Sequence, residues 1–341
     1  MPRKLRHFLV PALKIVGGCA LLAYLIYQAQ QHARFSRLVD QPKDWGLLLL
    51  GGGLVLAAIT LSFVRWWLLA RALDLRFTLP DAMRLGSIGF ALNFVALGNV
   101  GGDLFKAVLL AREQPGRRTE AVASVVIDRM MGLMSMLVLA SIAIVGTGVY
   151  GGDLPIAVRL LCRTVLIVTT VGILGLALLA SSNQWARWAA RWFGRLPLVG
   201  ELAVRVIGAM MALRRQPRLV ISAIALCLVV DAVYILSVYF ISQGLPVTAP
   251  SAAVHFLIVP LSSIAGALPI TPNGLGTTEA AMDALYYGLG KATGTVLGDG
   301  TIVALAHRLA MMSVGAIALV YYLTRRTELK PLLSDAEKAA F

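Results

Sequence analysis

The segment from Leu219 to Ile241 is apolar throughout except for one charged side chain, Asp231, and stretches like it recur along the chain. A run of about 20 apolar residues is what an α-helix needs to cross roughly 30 Å of hydrocarbon. Lipid admits only backbones whose N–H and C=O groups are bonded internally. Repeated runs of this kind predict a polytopic, all-α integral membrane protein. The composition points the same way: of 341 residues, 58% are hydrophobic and 14% charged, with a mean hydropathy of +0.79. No stretch between or after the runs is expected to form a sizeable soluble domain.

A net charge of +14 fits either nucleic acid or an anionic lipid surface, and placement decides between them. The basic residues fall in the loops between apolar runs, which points to lipid and excludes a nucleic-acid partner. Cys19, Cys162 and Cys227 lie within apolar runs and form no CxxC or Cys/His pattern, so they read as small core residues. The amino terminus, MPRKLRH before an apolar run, imitates a signal peptide but lacks a small-residue cleavage site and is taken as the start of the first span.

Spans are expected at about Leu9–Tyr27, Trp45–Leu69, Glu120–Val149, Ile156–Ala180, Leu219–Ile241 and Thr301–Leu323, about six in all. Gly51, Gly52 and Gly53 in the second span suit close helix packing. Arg65, Trp66, Trp67 and Arg71 near its end have the aromatic and basic mixture of a membrane interface. Two further apolar segments are interrupted. Residues 80–112 break at Gly98–Asp103, with basic residues on both flanks, and predict a re-entrant hairpin with arms at about Asp81–Leu97 and Asp103–Ala111; a full span is the alternative. Residues 252–290 break at Pro269–Gly276 between flanks poor in basic residues, and predict a second hairpin from the opposite side. Residues 184–218 carry seven arginines among tryptophans and leucines. That pattern fits amphipathic helices on an anionic lipid surface, or a basic cytoplasmic loop.

Lys and Arg concentrate at the amino terminus, between Arg65 and Arg84, around Arg112–Arg118, in 184–218 and after Leu323. The opposite side holds Arg34, Arg37, Lys43, Arg159, Arg163 and Lys291. This bias predicts both termini in the cytoplasm of a bacterial inner membrane. The order span, span, hairpin, span then occurs twice with opposite orientation, over residues 1–150 and 151–341, as an inverted repeat within a single membrane domain. In each half the hairpin break is followed by a carboxylate, Asp103 or Glu279. An arginine preceded by another ionisable group comes next: Asp128–Arg129 or His307–Arg308.

Inverted halves with broken helices are the architecture of alternating-access transporters, whose free helix ends need a polar ligand. Ionisable groups inside spans are costly and either pair or face a cavity. The candidate substrate-binding set is therefore Asp103, Lys106, Asp128, Arg129, Glu279, His307 and Arg308, with Asn99, Gly101, Gly102, Asn273, Gly274 and Gly276 where backbone can approach a head group. Arg129 and Arg308 suit phosphate, because guanidinium donates two parallel hydrogen bonds. The bland reading of each is an ion pair, a helix cap or a turn; Asp103 and Glu279 fit a cap as well as a site. Asp231 and His255 read as structural. The glycine-rich Gly98–Asp103 has neither a preceding strand nor GKS or GKT, the histidines show no metal spacing, and no GxSxG marks a nucleophile. No metal, cofactor or catalytic residue is expected.

The ordered set GNVGGDLFKAVLL, SVVIDRMMGL, PITPNGLGTTEAAM and AHRLAMM resembles the membrane region of the lysylphosphatidylglycerol synthase family, a flippase-like family. The resemblance implies membrane helices with re-entrant segments and translocation of lipid between leaflets. The soluble domain by which bifunctional relatives attach an amino acid is not expected within these 341 residues, so synthesis of lysyl lipid is not implied. The expected partners are membrane lipids: a phospholipid, a polyprenyl-linked lipid or a hopanoid-type lipid. The expected activity is lipid transport, passive or coupled to an ion gradient, rather than catalysis. A membrane-embedded enzyme acting on a lipid head group, and a non-transporting partner of an envelope enzyme, are the alternatives.

Overall fold

The computed structural model describes residues 20–27, 38, 40–95, 101–148, 156–195, 200–268, 271–290 and 294–324. They are helical almost throughout: α1 (Trp45–Ala72), α2 (Leu79–Val95), α3 (Gly101–Glu113), α4 (Arg118–Gly146), α5 (Ile156–Ser181), α6 (Asn183–Phe193), α7 (Gly200–Leu213), α8 (Pro217–Gly244), α9 (Ala252–Ala267), a 3-10 turn at Pro272–Gly274, α10 (Thr277–Leu289) and α11 (Asp299–Thr324). Five of these elements, α1, α4, α5, α8 and α11, are long and apolar enough to cross a membrane. Of the remaining expected span, residues 20–27 are helical and the rest lies outside the described residues.

Both interrupted segments fold back on themselves, α2 against α3 and α9 against α10. Glycine allows the first closure: a Cβ on Gly102 would lie 1.9 Å from the carbonyl oxygen of Gly89. Small residues in helix contacts let backbones approach closely in lipid, where no hydrophobic force pulls helices together. In the second hairpin, Gly266 faces Thr278, and the tip turns through positive φ at Asn273, Gly274 and Gly276. These segments are hairpins, not straight spans.

The packing repeats. α2 lies on α11 while α9 lies on α4; α3 lies on α4 while α10 lies on α11; α1 touches α2, α4 and α11 while α8 touches α9, α11 and α4. Exchanging α1 with α8, α2 with α9, α3 with α10 and α4 with α11 maps these contacts onto one another. The central pair α1 and α8 is antiparallel: the Asp44 N–H donates to the Gly244 carbonyl, Gly51 sits against Ser237 and Ile241, and Arg65 is near Cys227 and Asp231. The packing thus relates elements that run in opposite directions.

Buried apolar side chains form two main cores. One contains the first hairpin with the carboxyl-terminal part of α1 and the amino-terminal part of α4. The other contains the second hairpin with the rest of α1, α4 and α8, and with α5 and α11. On α1 the boundary falls between Phe63 and Trp66, on α4 between Ile127 and Leu137, and on α8 between Ala223 and Ile235.

The basic segment 184–218 is not an extended loop. Ala186 and Ala189 of α6 pack on Ile207 of α7, and α7 in turn lies on α4 and α5. This leaves Trp185, Trp188 and Trp192 exposed as a stripe whose successive rings are 6.1 and 6.5 Å apart.

A charged layer between the two apolar cores

The boundary between the cores is where the charged groups of the spans collect. Arg65, expected at the membrane interface, is instead buried and bonded to both oxygens of Asp128, Nε to Oδ1 at 2.8 Å and Nη2 to Oδ2 at 3.0 Å. Its guanidinium leans on Gly132 of α4, where a larger residue would crowd it. α1 continues nearly two turns beyond Arg65 to Ala72, too far for the side chain to reach water along the helix. That length was the sequence signal for a buried arginine, and the neighbouring tryptophans obscured it.

Asp103, in the first turn of α3, is held by Arg129 of α4, with Nε 2.6 Å from Oδ2 and Nη2 2.7 Å from Oδ1. Lys106, one turn further on, places Nζ 3.4 Å from Asp103 Oδ1 and over the rings of Phe63 and Trp66, 5.7 and 5.9 Å from their centres. Gly89 leaves room for the lysine stem. Arg129 differs from its partners in access: its side chain is 57% exposed, against 13% for Asp103.

The second half builds a related pair. Glu279, buried in the first turn of α10, accepts from Arg308 Nε through Oε1 and from the Gly276 N–H through Oε2 at 2.8 Å. It is at once the cap of α10 and an ion-pair partner. Arg308 donates its remaining groups to the tip carbonyls of Asn273 and Gly274, both at 3.3 Å. Each of its three guanidinium nitrogens thus donates one bond that holds the hairpin closed. In the first hairpin the Gly102 N–H goes to Asn93 Oδ1 at 3.1 Å, and among the described residues Asp103 is held by the two cations.

The expected residues thus sort into two clusters and a link between them. Asp103, Lys106 and Arg129 come together, as do Glu279, Arg308, Asn273, Gly274 and Gly276. Asp128 does not face its neighbour's partner but Arg65. His307 is buried against Tyr234, ring centres 5.0 Å apart. Tyr234 also lies near Arg308, Glu279, Asp231 and Ser263. Gly101 opens α3, and Asn99 lies outside the described residues. His255 belongs to a separate buried set, with Nδ1 3.0 Å from the Ser251 carbonyl and Nε2 2.6 Å from Tyr286 Oη. Sequence reasoning missed Arg65, Ser135 and Tyr234, none of which stands beside a helix break.

No curated protein matches the chain. The family described as "Lysylphosphatidylglycerol synthase TM region" matches residues 12–319, a range that takes in both hairpins and the whole charged layer, and the chain belongs to that family.

Proposed function

We propose that this protein moves a lipid with an anionic, phosphate-bearing head group between the leaflets of a bacterial inner membrane, with both termini cytoplasmic. The observation that carries this reading is Arg129. A guanidinium more than half exposed in the middle of an apolar helix is costly unless a polar partner comes to it. Asp103 occupies two of its donors, and among the described residues no other acceptor takes the rest. Counting Arg129 and Lys106 against Asp103, and Arg65 against Asp128, leaves one positive charge on the first-hairpin side. A phosphodiester monoanion would neutralise it through bidentate hydrogen bonds.

Exposed Leu104, Met130 and Leu133 flank this arginine on α3 and α4. They offer an apolar surface along which acyl or prenyl chains stay in lipid while the head group passes. Arg308, less exposed and bonded through all three guanidinium nitrogens, serves the closure of the second hairpin rather than the cargo. The exposed tryptophans and arginines of α6 fit an anionic lipid interface.

The test is leaflet exchange of a fluorescent phosphatidylglycerol in proteoliposomes. Arg129→Ala is expected to lower exchange about tenfold or more, the loss that follows removal of one charge-assisted contact worth about 1.5–3 kcal/mol. Exchange unchanged in Arg129→Ala, together with covalent alteration of the added lipid, would replace transport with enzymatic modification.

A further inference from the structure

Asp231 is the charged side chain of the layer that the ion pairs leave over. It lies at the middle of α8, and at 4% exposure it is shielded from solvent. Its Oδ2 has no hydrogen-bond partner among the described residues. The same holds for Ser135 Oγ on the facing α4, a hydroxyl that stands beside this carboxyl. The nearest cation, Arg65 of α1, is already bonded to both oxygens of Asp128 of α4. On α8 itself the titratable neighbours are Cys227 and Tyr234. From α11 come His307, whose Nε2 is also buried and unpartnered, and Arg308, which is bonded to Glu279 of α10. α9 contributes Ser263, beside Tyr234. Among the described residues no second cation is left for Asp231.

An ionised carboxylate here would keep one buried oxygen without a hydrogen bond and would have near it only the Ser135 hydroxyl and a cation already shared with Asp128. Burying a charge so poorly compensated costs several kcal/mol. Two changes would relieve that cost: a proton on the carboxyl, or a rearrangement that brings water or Arg65 to it. Asp231 also sits where movement of the halves would be felt, on the central helix pair between the two hairpin clusters. We infer that Asp231 is a proton-binding site, occupied in the packing seen here and emptied when the halves shift, so that proton passage is coupled to the conformational change of transport. The proton enters from and leaves to water on whichever side the layer is open. Arg65 stays on Asp128 and turns the N–H groups that Asp128 does not occupy toward the ionised Asp231 as the proton leaves, and Tyr234 and His307 continue the polar line toward the second hairpin.

This inference rests on the transport reading for its purpose but not for its test. Infrared difference spectra of the purified wild type, taken between acid and alkaline buffer, are expected to show a buried protonated-carboxyl band. The band should shift in deuterium oxide, disappear in Asp231→Asn and persist, displaced, in Asp231→Glu. In proteoliposomes, exchange of fluorescent phosphatidylglycerol should respond to an imposed pH gradient in the wild type and lose that response in Asp231→Asn. A wild type with no such band, or a band unchanged in Asp231→Asn, overturns the inference whether or not lipid moves. Gradient-driven exchange that survives in Asp231→Asn, or a response to a sodium gradient instead, also overturns it and leaves lipid transport standing. A titrating Asp231 in a protein that exchanges no lipid would instead count against the transport reading alone.

Discussion

At the scale of single residues, the buried charges divide by what each would leave behind if removed. Arg65 and Asp128 satisfy each other, both nearly enclosed. Removing only the cation strands a carboxylate, which typically costs about 3–5 kcal/mol, whereas replacing both partners with apolar groups of similar volume is close to neutral. Arg65→Ala is therefore expected to lower the thermal unfolding midpoint of the detergent-solubilised protein sharply. Arg65→Met combined with Asp128→Leu should recover most of the loss. The two arginines that follow the hairpins part company on the same reasoning. Arg308→Ala unpins Glu279 and two tip carbonyls and should destabilise by about 3 kcal/mol or more. Arg129→Ala leaves Asp103 with Lys106 as a remaining cation and should cost less stability than Arg308→Ala while removing lipid exchange. Measuring unfolding and exchange on the same preparations separates the two roles.

At the scale of elements, the hairpins depend on backbone contact. The α2–α3 approach at Gly89 and Gly102 leaves no space for a methyl group, and overpacking of this kind costs about 1–3 kcal/mol where neighbours can yield. Here the neighbour is a carbonyl on a packed helix, so Gly102→Ala should destabilise at least to the upper end of that range. In the same assay Gly53→Ala, which meets nothing within 4 Å, should behave as the wild type. The α6 helix makes a different prediction. Its alanine face is spent on α7, so its tryptophans are free for the interface. In nanodiscs, lipids brominated near the head group should quench their fluorescence more strongly than lipids brominated at the chain ends. Replacing Trp185, Trp188 and Trp192 with phenylalanine should remove that difference.

At the scale of the whole molecule, two halves with opposite direction pack through α1 and α8, and the charged layer runs where their apolar cores meet. Such an arrangement predicts that the two hairpins enter from opposite sides of the membrane. In a background without native cysteines, Thr119→Cys at the start of α4 should label from the cytoplasmic side, and Thr248→Cys after α8 from the other. Labelling of both from one side would break the inversion.

Much of this was legible in the chain because hydrocarbon imposes simple rules. Apolar length marks α1, α4, α5, α8 and α11, glycine and proline breaks mark the hairpin tips, and charges inside apolar runs mark Asp103, Arg129, Glu279 and Arg308. Each of these is a local property that a single segment carries. Pairing is not local. Whether Arg65 snorkels or is enclosed, whether Asp128 serves Arg129 or Arg65, and which of two similar arginines stays exposed all depend on what lies across the bundle. The sequence by itself determined an all-helical membrane protein with two opposed helix breaks and a charge behind each. Only the tertiary structure decided which charges are already answered and which are not, because the cost of a buried charge is set by its neighbours in space.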